Sequence, residues 1–226
     1  MPSERQWIEQ AIQYATKYNN APSAQTALQQ NTLAEQLERY LRLLQQWNRT
    51  IRLTGKDDIP ELSQRHLTDS LIAVGCFTDL LPHQKILDIG AGAGFPVIPL
   101  AITLPHLSWT ALETHQRRAA FLQQVRLQCK LSRLDIRAVR FVGNPQIEAL
   151  PIPFARITFR AVAPAELLPF LHHYLEPDGQ ILYWGVPHTK PDIPDTLRLL
   201  ETLPYTLPSG EHFTLYRIGR NDRREV

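Results

Sequence analysis

The sequence predicts an α/β fold in which a mostly parallel, doubly wound sheet follows an N-terminal helical cap. Apolar residues recur at helical spacing through the first third of the chain. From Lys85 onward, short apolar runs alternate with helical patterns, an order typical of a parallel sheet with helices on both faces. A glycine-rich turn joins the first apolar run to the next helix. We therefore divide the chain into a cap, residues 1–76, and a second domain, residues 77–226.

The cap is predicted to contain three helices, separated by a polar break near residues 19–24 and a loop at residues 54–58. A weak amphipathic pattern covers residues 8–15, and a clearer one includes Leu33, Leu37 and Leu44. Leu67 and Leu71 indicate a third helix. These spacings place apolar side chains on one stripe of each helix, which must then be buried against the sheet or another helix.

The second domain is predicted to contain seven strands. Five belong to the parallel part, at residues 85–89, 107–112, 136–142, 155–159 and 179–184. Helices connect them at residues 97–104, 115–130 and 162–174. Two antiparallel strands are expected near residues 198–203 and 212–218. This order predicts a mostly parallel sheet with helices on both faces.

Composition narrows the function classes. The chain has 226 residues, 43% hydrophobic residues and a net charge of +2, a balance typical of a globular protein that is only mildly basic. Cys76 and Cys129 cannot form a framework of disulfides and lack metal-ligand spacing, so we expect no metal. The N-terminus lacks the pattern of a signal peptide, and no apolar stretch approaches the roughly 18 residues of a membrane span. We expect a cytoplasmic protein without a membrane or an obligate protein partner.

The glycine-rich turn carries the strongest local signal. A buried strand leads into Gly90, Gly92 and Gly94, and Pro96 suits the first turn of the helix that follows. Glycine lets the backbone turn sharply and approach a ligand. Dinucleotide-binding folds use G-x-G-x-x-G, but here the third glycine comes one residue early, which disfavours an NAD-dependent oxidoreductase. A plain strand–turn–helix connection is the other alternative.

An acidic residue before G-x-G-x-G is the pattern of enzymes that use S-adenosylmethionine. The amino-acid end of that ligand could meet Asp88 and the backbone of Gly90, Gly92 and Gly94. Glu113, followed by Thr114, ends the second predicted strand, where a carboxylate can accept hydrogen bonds from both ribose hydroxyls of an adenosine. We predict that all these residues contact S-adenosylmethionine.

Four motifs extend the pattern along the chain. They are W-N at residues 47–48 with L-T-G at 53–55, R-H-L-T-D-S-L at 65–71, the glycine loop at 88–96, and F-R-A at 159–161. In order and spacing, these motifs resemble the glucose-inhibited division protein B family of small-subunit ribosomal RNA guanine-N7 methyltransferases. The resemblance covers residues 47–185.

The resemblance implies a Rossmann-like class I methyltransferase fold and transfer of a methyl group from S-adenosylmethionine to N7 of a guanine in 16S ribosomal RNA. It implies that Gly90 and Phe95 line the cofactor pocket and that Pro145 and Gln146 touch the adenine. It also implies that Arg160 contacts the cofactor or its reactive end, as the catalytic residue. The partner would be 16S ribosomal RNA or the small ribosomal subunit.

The chain departs from the family's usual residues at several positions. It has N-P-Q-I at residues 144–147, Ala155 in place of an aspartate, Y-W-G at 183–185 in place of L-K-G, and Arg52 in place of an asparagine. An arginine, a lysine and one or two carboxylates are thus replaced. Two alternatives follow: a methyltransferase with a different substrate, or a non-catalytic module that binds the cofactor or RNA.

RNA contacts are expected at three residues. Arg117 and Arg118 lie in a strongly basic stretch, residues 115–140, and the family often has a basic pair there. Trp184 could stack on a base, which is worth about 1–3 kcal/mol, or it could fill the core. His66 and Asp69 share one helix face, where a structural role is favoured over lining the pocket.

Overall fold

The computed structural model describes residues 2–55, 58–144, 149–186 and 190–221. Pro145 and Gln146, the two predicted adenine contacts, lie outside the described residues. Within these ranges the strands are β1 (Lys85–Ile89), β2 (Ser108–Leu112), β3 (Leu134–Arg137), β4 (Phe154–Arg160), β5 (Leu175–Gly185), β6 (Leu197–Thr206) and β7 (His212–Arg220). They form a seven-stranded sheet in the order β3-β2-β1-β4-β5-β7-β6.

The sheet reverses its winding beside β1. Strands β1 to β5 are parallel, whereas β7 pairs antiparallel with both β5 and β6. From β1 the chain moves outward to β2 and β3, then returns to β4 on the other side of β1. In open α/β sheets, ligands bind at such a reversal, in the crevice beyond the carboxyl ends of the strands.

Eight α-helices are described. They are α1 (Glu4–Thr16), α2 (Pro22–Leu28), α3 (Leu33–Asn48), α4 (Ile59–Glu61), α5 (Thr68–Leu71), α6 (Val97–Thr103), α7 (Gln116–Gln128) and, after β4, α8 (Pro164–Leu171), where α4 is a single turn that continues into a longer helical stretch. That stretch also contains a π-helical turn, Leu62–Leu67, and a 3₁₀ turn, Ile72–Phe77. No described helix is long and apolar enough to cross a membrane.

The first helices form for identifiable local reasons. Helix α1 begins with a capping box, in which Ser3 Oγ accepts from the Gln6 backbone N–H and the Gln6 side chain accepts from the Ser3 N–H. Helix α3 buries Leu37, Leu41 and Leu44, whose spacing puts them on one stripe. The apolar side of α3 packs against α6 and α7, and α1 packs against α3.

Side chains alternate between the two faces of the sheet along each strand, and both faces are buried. Ile86, Trp109 and Leu182 face a core shared with the cap helices, α6 and α7. Leu87 and Ile157 face a second core that includes α8. The predicted α/β class and the mostly parallel sheet with helices on both faces are confirmed. The division at residue 76 stays a prediction.

Some predicted element bounds were wrong. The third strand ends at Arg137 rather than residue 142, because β3 is an edge strand and its partner β2 ends opposite Arg137. The last helix ends at Leu171 rather than 174, and β5 begins at Leu175 rather than 179. Strand β5 already pairs with β4 at Leu175, opposite Phe154, and the register then shifts before Gln180. The strand therefore begins before the apolar run from which it was predicted.

Candidate functional site

A cavity of about 420 Å³ opens at the carboxyl ends of β1, β2 and β4. Its walls come from residues 53–55, His66, residues 90–93 with Phe95, residues 113–115 with Arg118, and residues 160–162. The volume lies within the usual range of small-molecule sites. The cavity, called the glycine-loop cavity below, occupies the place where an α/β sheet of this winding binds its ligand.

The three glycines of the loop have different roles. All have positive φ, at +78° for Gly90, +56° for Gly92 and +98° for Gly94. A Cβ on Gly92 would meet only the Gly90 carbonyl oxygen, at 3.8 Å, so this position is open toward the cavity. A Cβ on Gly94 would lie 2.6 Å from Ile98 Cγ1 and therefore points into the core. Gly94, predicted as a cofactor contact, thus packs the loop rather than lining the cavity.

Asp88 is buried beneath the loop with one carboxylate oxygen unused. The residue is 1% exposed, and its Oδ1 accepts from Thr158 Oγ1 at 2.6 Å. Its Oδ2 has no hydrogen-bond partner in the described structure. Burial raises the pKa of Asp88 to about 7, and the Thr158 hydrogen bond only partly opposes this. A buried acceptor without a donor fits a ligand that brings a cationic donor.

Glu113 ends β2 and is also buried. Its Oε2 accepts from the Gly92 N–H at 2.8 Å, while its Oε1 accepts from the His115 N–H at 2.7 Å and lies 3.0 Å from His115 Nδ1. One lone pair on Oε2 therefore stays available, and a second on Oε1 becomes available when the exposed His115 ring turns away. Thr114 is exposed beside it and lines the cavity.

Arg160, at the end of β4, lies in a group of four side chains. Its Nη1 donates to Asp69 Oδ2 at 2.5 Å, and its Nη2 lies 3.2 Å from His66 Nδ1. Its guanidinium carbon lies 5.5 Å from the centroid of Phe95. A guanidinium has five N–H donors, and these contacts use two of them. Because Arg160 lines the cavity, its other donors are available to a ligand there.

His66 and Phe95 form the wall behind Arg160. Their rings stack with centroids 5.1 Å apart. Burial, and then the charges of Arg160 and Arg65, lower the pKa of His66 to about 3. His66 is therefore neutral and accepts from Arg160 through Nδ1. The sequence left open whether His66 and Asp69 line the pocket or have a structural role. His66 lines the cavity, whereas Asp69 is 6% exposed and holds Arg160 from the side away from the cavity.

Trp184 fills the core instead of facing the cavity. It is 5% exposed, and its Nε1 donates to the Asp69 carbonyl oxygen at 3.0 Å. The indole ring is thus not available to stack on a base, and its predicted RNA contact is corrected to a packing role. Because β5 is covered on both faces, both of its rows of side chains are buried and the sequence pattern could not separate them.

Two cap residues support the cavity: Tyr40, which no motif marked, and Asn48, which belongs to the W-N motif but had no predicted role. Tyr40 on α3 donates its hydroxyl to the Ala93 carbonyl oxygen at 2.8 Å and packs edge-on against Phe95. Asn48 Oδ1 accepts from the N–H groups of Leu53 and Thr54, at 2.7 and 3.0 Å. The cap therefore fixes both the glycine loop and the opposite wall.

The predicted basic pair lies at the cavity mouth, at the start of α7. Arg117 is exposed. Arg118 is half-buried, lines the cavity and donates to the Arg52 carbonyl oxygen at 3.4 Å. This rim is cationic. Over the described part of the chain there is no group of three or more His, Cys, Asp or Glu residues that could hold a metal ion.

Comparison with known proteins identifies the family. The sequence matches GidB, described as rRNA small subunit methyltransferase G, over residues 33–193. A ribosomal RNA small subunit methyltransferase G from Halorhodospira halophila is 39% identical over 150 residues, which cover 66% of this chain and 67% of that protein. The protein of the same name from Streptococcus sanguinis is 33% identical over 188 residues, 78% of each chain. The chain belongs to this family.

The fold is shared with methyltransferases of other specificities. An O-methyltransferase from Bacillus cereus in complex with SAH has a TM-score of 0.57 and 18% identity, covering 80% of this chain and 90% of that chain. TrmN from Thermus thermophilus has a TM-score of 0.55 and 16% identity, covering 70% and 53%. At such identities the likeness shows the fold alone. The predicted GidB family and the Rossmann-like class I methyltransferase fold are confirmed.

Proposed function

We propose that this member of the GidB family transfers a methyl group from S-adenosylmethionine to N7 of a guanine in 16S ribosomal RNA, in the cytoplasm, with the free RNA or the small ribosomal subunit as partner. One observation carries the proposal. Residues from motifs far apart in the sequence line the same glycine-loop cavity: Thr54, His66, Gly92, Phe95 and Arg160. A methyltransferase needs such a cavity to hold donor and acceptor together.

The residues present fit the cofactor. Asp88 Oδ2 is a buried acceptor without a donor and suits the amino group of the methionine end. The free lone pair on Glu113 Oε2 suits a ribose hydroxyl, and the open side of Gly92 lets the ligand approach the backbone. When bound, S-adenosylmethionine supplies a methyl group on a sulfonium centre. Pro145 and Gln146 stay predicted adenine contacts.

The protein's own residues have to align the methyl donor with the guanine and exclude water from between them. N7 of guanine carries a lone pair and no proton, so no general base is needed to prepare it. Arg160, held by Asp69 and His66, presents its remaining donors at the cavity. Phe95 and His66 give this wall an aromatic surface. Alignment of two bound reactants in this way is a major source of rate enhancement.

The cationic rim supports an RNA substrate over a small molecule. Arg117 and Arg118 lie where a strand entering the cavity would bring its phosphates, and Arg52 is exposed nearby. The departures at Ala155 and Trp184 do not favour a non-catalytic role, because neither residue lines the cavity.

The test is mass spectrometry of 16S ribosomal RNA from the source organism with the gene deleted. We expect the loss of one 7-methylguanosine, restored by the wild-type gene and by a Gly210→Arg gene, but not by Gly92→Arg. Gly210 is the matched control, because it also has positive φ and open space but lies in the β6–β7 turn. An unchanged methylation pattern on deletion would contradict the proposal.

A further inference from the structure

Asp69 is contacted by residues of three strands. On β4, Arg160 donates to its Oδ2; on β5, Trp184 donates to its carbonyl oxygen; and on β6, the Tyr205 hydroxyl donates to its Oδ1. Tyr205 is 4% exposed, so water does not compete for this hydrogen bond. The carboxylate of Asp69 is therefore fixed on one side by Tyr205 and on the other holds the guanidinium.

The direction of the Tyr205 hydrogen bond is settled by its surroundings. Burial, and then the neighbouring Asp69 carboxylate, raise the pKa of Tyr205. The hydroxyl therefore keeps its proton and donates to Asp69. Because Arg160 also donates, Asp69 acts as the acceptor between the two side chains, and its orientation decides where the guanidinium lies.

From this geometry we infer that Tyr205 is a positioning residue for Arg160, acting through Asp69, in the methyl-transfer site. The inference rests on the proposed function of that site. Tyr205 does not line the glycine-loop cavity, so its effect on the reaction must pass through Asp69. Without the hydroxyl, the Asp69 carboxylate loses one of its two side-chain donors, and Arg160 samples orientations that do not face the ligand.

A purely structural role for Tyr205 would be to fasten β6 to the cap. Two other tyrosines already do so at the next residue of the strand. Tyr14 and Tyr18, both on the cap, donate to the Thr206 carbonyl oxygen at 2.8 and 3.1 Å. Tyr14→Phe is therefore a matched control: it removes one hydroxyl between the cap and β6 without touching Asp69.

The experiment measures single-turnover methyl transfer by the full chain, with labelled S-adenosylmethionine and 16S ribosomal RNA. We expect Tyr205→Phe to lower the maximal rate about tenfold, equivalent to about 1.4 kcal/mol, while both half-saturation concentrations change less than twofold. Tyr14→Phe should stay within twofold of wild type in all three quantities. A loosened strand would instead affect both variants, and would lower their melting temperatures together.

A double-variant cycle with Arg160→Met tests the route of the effect. If Tyr205 acts through Arg160, Tyr205→Phe lowers the rate less than twofold further in the Arg160→Met background. An equal tenfold loss in both backgrounds would overturn the inference, as would a Tyr205→Phe protein that matches Tyr14→Phe. A wild-type protein that transfers no methyl group to the RNA would contradict the proposed function itself, which separates the two failures.

Discussion

Strand β4 carries an arginine near each end, on the same face of the sheet. Arg156 lies at the start and pairs with Asp79 at 2.6 Å, whereas Arg160 lies at the end and pairs with Asp69 at 2.5 Å. Strand periodicity alone does not distinguish the two, and only the F-R-A motif marks Arg160. In the structure their surroundings are opposite.

At the start of β4, called the closed end below, the arginine is buried and its acidic partner is exposed. The Arg156 side chain is 2% exposed, while that of Asp79 is 64% exposed. Its Nε donates to the Cys76 carbonyl oxygen and its Nη1 to that of Ala155. The end of β4 is called the open end below, because Arg160 there lines the glycine-loop cavity. Here the acid is the more buried partner: the side chain of Asp69 is 9% exposed and that of Arg160 is 18% exposed.

The difference teaches which arginine serves the structure and which serves a ligand. The donors of Arg156 all bind groups of the protein, so its loss would remove hydrogen bonds from two carbonyl groups. Arg160 keeps donors directed at a cavity and is held by a largely buried acid. The function of a buried charge is thus indicated by the donors it leaves unused, rather than by its burial or its salt bridge.

The largest effect is expected on cofactor binding, from a substitution in the glycine-loop cavity at the open end. Gly92→Arg should weaken S-adenosylmethionine binding at least about 1000-fold, or about 4 kcal/mol, because the new side chain would fill the cavity. Gly210→Arg also places an arginine at a position of positive φ, but outside the cavity, and should bind as wild type does. Isothermal calorimetry measures both. Equal affinities in the two variants would place the cofactor elsewhere.

At the closed end the effect should be on stability. Arg156→Met should lower the free energy of unfolding by about 3 kcal/mol, because two carbonyl groups lose a hydrogen bond while Asp79 is solvated. Urea denaturation followed by circular dichroism measures this. The rate of methyl transfer per folded molecule should change less than threefold. A large loss of activity without a loss of stability would contradict the structural role.

Arg160→Met should show the converse pattern, with a large loss of activity in a protein that stays folded. We expect the methyl-transfer rate to fall about 100-fold, because donors directed at the reacting groups are lost. The single-turnover assay measures the rate, and a melting curve shows that the variant is folded. A rate within threefold of wild type would mean that Arg160 is as structural as Arg156.

A smaller effect comes from Asp88 beneath the open end. Burial raises its pKa to about 7, so its ionised fraction increases between pH 6 and pH 8. The ammonium group of the cofactor prefers the ionised carboxylate, so affinity should increase about tenfold over this interval. The same raised pKa means that the protonated acid favours folding, and that this contribution to stability is lost as pH rises from about 4 to 7. Affinity in Asp88→Asn should not depend on pH in this interval, and an unchanged slope would exclude Asp88 as the cause.

The sequence predicted the fold and part of the site, because those signals are local. The glycine loop, Asp88 and Glu113 belong to strand–turn–helix patterns read within a few residues. Tyr205 could not be found in this way, because it lies 136 residues from Asp69. Such contacts depend on where β6 joins the sheet, which local patterns do not encode.

The roles of individual residues within a motif were also beyond the sequence. Gly94 packs against Ile98, whereas Gly92 is open to the cavity, although both belong to the same pattern. Trp184 lies in a strand covered on both faces, so periodicity cannot tell a core residue from a residue that faces a ligand.

The most direct test of the contrast between the two ends is the stabilisation produced by the cofactor. The free energy of unfolding would be measured by urea denaturation for wild type, Arg156→Met and Arg160→Met, without S-adenosylmethionine and at 100 times its wild-type dissociation constant. The wild type should gain about 2.7 kcal/mol. Arg156→Met should start lower and gain the same increment, whereas Arg160→Met should gain less than half of it. Equal increments in the two variants would contradict the assignment of the open end to the ligand.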